Sequence, residues 1–132
     1  ILQAEHPEDW VIATGKTTTV RDFVKMSFSE VGIELQFKGS GVDEKAYVAK
    51  CNNPEYQIPT GKEVLAIDQK YFRPTEVDSL IGNPTKAKEK LGWECQYDLQ
   101  DLVKDMMQYD LKLMQKDQYL KDGGYSTLNY FE

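Results

Sequence analysis

The stretch Thr19-Val20-Arg21-Asp22-Phe23-Val24-Lys25-Met26-Ser27-Phe28-Ser29-Glu30-Val31-Gly32-Ile33-Glu34-Leu35-Gln36-Phe37 changes hydrophobic period at a single glycine. Before Gly32, the residues Val20, Phe23, Val24 and Phe28 recur at helical spacing, and Val31 closes the pattern. Thr19 with Asp22 three residues on has the form of a capping box, and Gly32 stands where a helix stops. After Gly32, residues 33–37 alternate apolar and polar, the pattern of a half-buried strand. Upstream, Asp9-Trp10-Val11-Ile12-Ala13-Thr14 is a β-type run closed by Gly15. Its unbroken apolar centre suits a strand covered on both faces. The first third is therefore expected to form a β-α-β unit, and the chain an α/β fold.

Further along, a strand is expected at 46–48, a turn at Ile58-Pro59-Thr60-Gly61-Lys62 and a strand at 63–68. The last third reads as helical. Asn83 is a suitable N-cap, with Pro84 at the first helical position and Gly92 past the last turn. Asp98 caps a longer helix whose Leu99, Leu102, Val103, Met106, Met107, Leu111 and Met114 form one apolar stripe. The Gly123-Gly124 pair marks its end.

At 132 residues, there is room for a single domain spanning 1–132. The net charge of −6 is split evenly between the halves and argues against nucleic-acid binding. No apolar run is long enough to cross a bilayer. Cys51, Cys95 and the single His6 are too scattered for a disulfide framework or a zinc site, so a reducing cytoplasm is the expected setting. The opening Ile1-Leu2-Gln3-Ala4 lacks an initiator Met and a signal-peptide pattern. It has the look of a cut inside a longer protein, although processing or trimming would read the same.

Most candidate chemistry reduces to structure. Gly39-Ser40-Gly41 suggests a dinucleotide loop, but position 44 is Glu and the segment after the loop is not helical in pattern, so a turn is expected. None of the eight tyrosines has a Lys four residues later. Arg73 stands apart: it is one of two arginines against 14 lysines, preceded by two aromatics and followed by Pro74. A guanidinium offers forked donors to a phosphate or carboxylate, and Glu76 is an acceptor suited to the paired hydroxyls of a ribose. Arg73 and Glu76 either read a nucleotide together or form a local salt bridge or turn cap.

Three runs carry a resemblance. They are Tyr71-Phe72-Arg73-Pro74-Thr75-Glu76-Val77, Leu80-Ile81-Gly82-Asn83-Pro84-Thr85-Lys86-Ala87 and Leu91-Gly92-Trp93. Together they resemble the C-terminal region of the extended short-chain dehydrogenase/reductase family, and within it the GDP-mannose 4,6-dehydratases. Asp9-Trp10-Val11-Ile12-Ala13-Thr14-Gly15, Val20-Arg21-Asp22-Phe23-Val24 and Gly39-Ser40-Gly41-Val42-Asp43-Glu44-Lys45 are similar to the same proteins in the same order. The resemblance implies a C-terminal lobe that grips GDP-mannose and closes over an N-terminal Rossmann domain holding NADP. It places Arg73 on the diphosphate and Glu76 on the ribose. Tyr71 would line the same cleft, and Lys45 and Lys50 are left open as further contacts.

The cofactor fingerprint and the Tyr-x-x-x-Lys pair of that family are missing from this chain, so neither catalytic nor NADP-binding residues are assigned to it. The resemblance thus implies a substrate-binding lobe inactive by itself, with a homo-oligomeric parent enzyme in GDP-fucose biosynthesis. Two rivals stand beside it: the same lobe from an enzyme of UDP- or dTDP-sugars, and a non-catalytic interaction module whose Met-rich helix docks a partner. Exposure of Met106, Met107 and Met114 would favour the second.

Overall fold

The computed structural model describes residues 2, 4–73 and 80–127. The described elements run in the order α1 (Val20–Glu30), β1 (Ile33–Lys38), β2 (Lys45–Cys51), β3 (Glu63–Ala66), α2 (Thr85–Leu91) and α3 (Leu99–Asp122). Helix α1 begins where the hydroxyl of Thr19 accepts the amide of Asp22 at 3.0 Å. It ends at Gly32, whose φ of 73° lets its amide turn back to the Ser29 carbonyl at 2.9 Å. The strand after it buries Ile33 and exposes Glu34, Gln36 and Lys38 on alternate positions.

The three strands form one antiparallel meander in the order β1-β2-β3. Leu35 lies opposite Val48, Phe37 opposite Ala46, and Ala46 in turn opposite Leu65. Gly39-Ser40-Gly41 is the start of the β1–β2 connection, leading into a single 3-10 turn at Gly41–Asp43. It joins two antiparallel strands and does not feed a helix, so it is a turn, as its sequence suggests. The next connection closes with the Lys62 amide on the Pro59 carbonyl at 3.1 Å and Gly61 at a φ of 84°.

The β-α-β expectation fails at its first strand. Residues 9–14 belong to no strand among the described residues. Val11 and Ile12 stay about half exposed, and the segment is held by side chains instead of a backbone ladder. A Cβ added to Gly82 would sit 2.6 Å from Ala13 Cβ and 3.2 Å from Val11 Cγ1, so only glycine allows this approach. Lys86 donates to the Asp9 carbonyl at 2.9 Å and lies 4.8 Å from the centre of the Trp10 ring. A β-type run forms a strand only where another edge accepts its amides, and no described strand does so here.

The core is thin. The buried apolar residues among those described are Ile33, Ala46, Val48, Ala87 and Val103. Helix α1 rests on β1 and α3. The accessible surface is 10981 Å², against roughly 7,100 Å² for a compact monomer of this mass by the usual size scaling.

Candidate nucleotide-binding site

Strand β3 delivers the chain to Asp68, where a turn begins. The Asp68 carboxylate accepts the amide of Lys70 at 2.9 Å, and the Asp68 carbonyl accepts that of Tyr71 at 3.1 Å. This is the short-side-chain turn that Asp favours. The Phe72 amide then reaches the Gln69 carbonyl at 3.3 Å. The turn presents Tyr71, Phe72 and Arg73 at the surface, with Tyr71 72% exposed. The ammonium of Lys70 lies 5.3 Å from the Tyr71 ring centre. The result is an exposed cationic and aromatic edge, with Arg73 at its end. Glu76, the expected ribose contact, lies outside the described residues, as does Pro74.

The chain resumes with Leu80 and Ile81 exposed and Gly82 pressed against residues 11–13. The Asn83 carboxamide oxygen accepts both the amide and the hydroxyl of Thr85, at 3.0 and 2.6 Å. The helix starts one residue later than expected: Pro84 takes the cap position, Thr85 the first turn, and Asn83 lies just outside, its side chain bracing Thr85. Helix α2 ends at Gly92 with a φ of 63°, its amide bonded to Lys88. Its buried Ala87 and its lysines tie it to the lead-in: Glu8 pairs with Lys86 at 2.8 Å and with Lys90 at 3.1 Å. These two lysines hold the Glu8 carboxyl below its ordinary pKa. The motif 82–87 thus works as a clamp on the lead-in, residues 8–13. Sequence reading missed the part of Trp10 and Lys86 in it, because Trp10 sat inside an expected strand.

The other candidate cations are engaged in the sheet. Lys45 pairs with Glu63 across β2 and β3 at 2.9 Å, which raises its pKa. Lys50 stands 3.9 Å from Glu34 on the neighbouring strand. Arg21 is likewise a structural group, 2.6 Å from Glu44 and stacked 5.8 Å from the Phe37 ring centre. Elsewhere, a groove of about 910 Å³ opens between Thr14, Lys16, Met26, Tyr97, Asp98 and Leu102. Arg73 and Tyr71 are not among its lining residues. The loop between β1 and β2 does not form the strand-to-helix phosphate turn that NADP binding uses, so these residues do not fit that cofactor.

Comparison with known proteins decides the family. The GDP-mannose 4,6 dehydratase family profile matches residues 1–106. The chain belongs to that family. It is 43% identical over 129 residues to a GDP-mannose 4,6-dehydratase of Yersinia enterocolitica, covering 96% of this chain and 34% of the relative. A protein of the same name from Vibrio cholerae is 45% identical over 128 residues, again 96% of this chain and 34% of its own. The human GDP-mannose 4,6 dehydratase is 42% identical over 114 residues, 86% of this chain and 28% of its own. The chain spans about a third of the length of the curated relatives it matches.

Proposed function

We propose that this chain is the nucleotide-sugar-binding part of a GDP-mannose 4,6-dehydratase, a lyase that acts on GDP-mannose with NADP. What supports the reading is the identity of 43–45% over 96% of the chain to proteins of that name. Arg73, at the tip of the Asp68 turn, takes the diphosphate through forked hydrogen bonds, and Glu76 takes the ribose. Tyr71 flanks the same ligand. NADP, the Rossmann domain and the catalytic acid and base are assigned to other parts of the whole protein, which is a cytoplasmic homo-oligomer. The chain by itself turns over no GDP-mannose, because no residue in it is assigned to hydride or proton transfer. The relatives' names favour GDP over UDP- and dTDP-sugars as ligands.

Titration of the 132-residue chain with GDP, read out by NMR, tests this. Shifts should concentrate on the 68–73 turn and be weaker with UDP and dTDP. Loss of the guanidinium in Arg73→Ala should weaken GDP binding by roughly 10- to 100-fold, the scale of hydrogen bonds to charged groups. Arg73→Lys should recover only part of it. Equal binding by the parent chain and Arg73→Ala, or product formed from GDP-mannose and NADP, would overturn the reading.

A further inference from the structure

Helix α3 does not use its apolar residues as one stripe. Val103 is buried on the face toward α1, with Leu99, Met107 and Leu111 half-buried. A second line, Leu102, Met106, Tyr109 and Leu113, runs at a 4-3-4 spacing along another face of the helix. Leu102 is 50% exposed, Met106 42% and Tyr109 66%. An apolar seam open to water on a long, well-formed helix is a site waiting for a partner.

The charges beside the seam say which partner. One flank carries Asp101 and Asp105 toward the helix start, then Lys112 and Lys116 toward its end. Within the helix these are like-charge pairs at i,i+4, each mildly unfavourable. None of the four has an opposite charge four residues away on α3. A second α3 running antiparallel across the seam reverses the order. Asp105 then meets Lys112 of the other copy and Asp101 meets Lys116, both about a single twofold axis between residues 108 and 109. The same axis layers Met106 on Tyr109 and Leu102 on Leu113, to within one residue. A sequence that is unfavourable within one helix is thus self-complementary between two, as a twofold interface requires.

We propose that the Leu102–Met106–Tyr109–Leu113 seam of α3 pairs two copies of this chain as an antiparallel helix dimer, registered by Asp105 with Lys112 and Asp101 with Lys116. The interface is a single helix face, so the dimer is weak and reversible.

Sedimentation of the 132-residue chain over a concentration series tests this, with helix content of every variant checked by circular dichroism. The parent chain should be dimeric at about 100 µM and dissociate on dilution. Asp105→Lys and Lys112→Glu should each weaken self-association by roughly 10-fold or more, because each sets like charges across the seam twice. The double variant Asp105→Lys/Lys112→Glu should restore it, and the two single variants mixed together should form a 1:1 heterodimer. Neither residue caps α3, so the folded state is retained. A chain that stays monomeric at that concentration overturns the proposal and assigns the seam to another part of a longer protein. So does a dimer indifferent to the charge swap.

Discussion

The sheet layer and the lead-in are both built from β-type sequence, yet only one becomes a sheet. Val48, in β2, is 1% exposed, with its amide on the Lys62 carbonyl at 2.9 Å and its carbonyl accepting Gly61 at 2.8 Å. Val11, in an equally apolar run, is 50% exposed and lies against Gly82. The difference is not propensity but neighbours. Turns on both sides of β2 return the chain to it, whereas no described strand pairs with residues 9–14. Local sequence makes a strand possible, and a second edge makes it real.

The most direct way to break this contrast is to place the same charge in both segments. Val48→Asp buries a carboxylate with no partner and should cost about 4 kcal/mol or more, enough to unfold the sheet. Val11→Asp leaves its charge in water and should cost about 1 kcal/mol or less. Chemical denaturation of both variants reads the gap. If Val11→Asp proved as damaging as Val48→Asp, the lead-in would belong to the core.

Glycines sharpen the comparison at the next scale. Gly39 and Gly92 both adopt positive φ, at 87° and 63°. A Cβ at Gly39 would run into the backbone of Asp43, with its carbonyl carbon only 3.0 Å away, while a Cβ at Gly92 meets nothing within 4 Å. Gly92→Ala should therefore cost only the left-handed backbone penalty, about 1–2 kcal/mol. Gly39→Ala should cost that plus a backbone shift, roughly 1–3 kcal/mol more. Equal melting temperatures for the two would mean that the β1–β2 turn yields freely.

The features legible in the sequence divide along the same line. The ends of α1, the alternation of β1, the strands expected at 46–48 and 63–68 and found as Lys45–Cys51 and Glu63–Ala66, and the Asp98 cap of α3 all depend on residues within a few positions of one another. Each appears where short-range chemistry puts it; the Asp98 cap is a full box with Asp101 at 3.0 Å in both directions. The β-α-β topology and the single stripe on α3 depend on what packs where, and neither survives. Seven apolar positions on α3 do not say which of them face α1. For the candidate site, rarity and the Pro74 neighbour single out Arg73, which lies exposed at the end of the Asp68 turn. The Trp10–Lys86 clamp was not legible, because it joins positions far apart in the chain that no local pattern links.

The smallest expected effect lies in the Glu8 ion pairs between the lead-in and α2. Lys86 and Lys90 lower the folded-state pKa of Glu8 from its ordinary 4.5. A carboxyl whose folded value is depressed contributes above its unfolded value and loses that contribution as pH falls through the folded one. Lys45 runs the opposite way. Glu63 raises its pKa above 10.5, so its contribution holds below that pH and fades above it. The shift at Glu8 thus bears on the acid limit of its link, and the shift at Lys45 on the basic limit of its own. Between about pH 5 and pH 10 both are intact. Thermal melts of the parent chain and Glu8→Gln should differ slightly at neutral pH and converge as pH drops below 4.5. The difference should also shrink with salt, since all three groups are solvent-exposed. Lys45→Met should approach the parent in strong base, as the Lys45 ammonium loses its proton. A constant gap for Glu8→Gln down to about pH 3 would mean that side-chain packing on α2, not charge, anchors the lead-in.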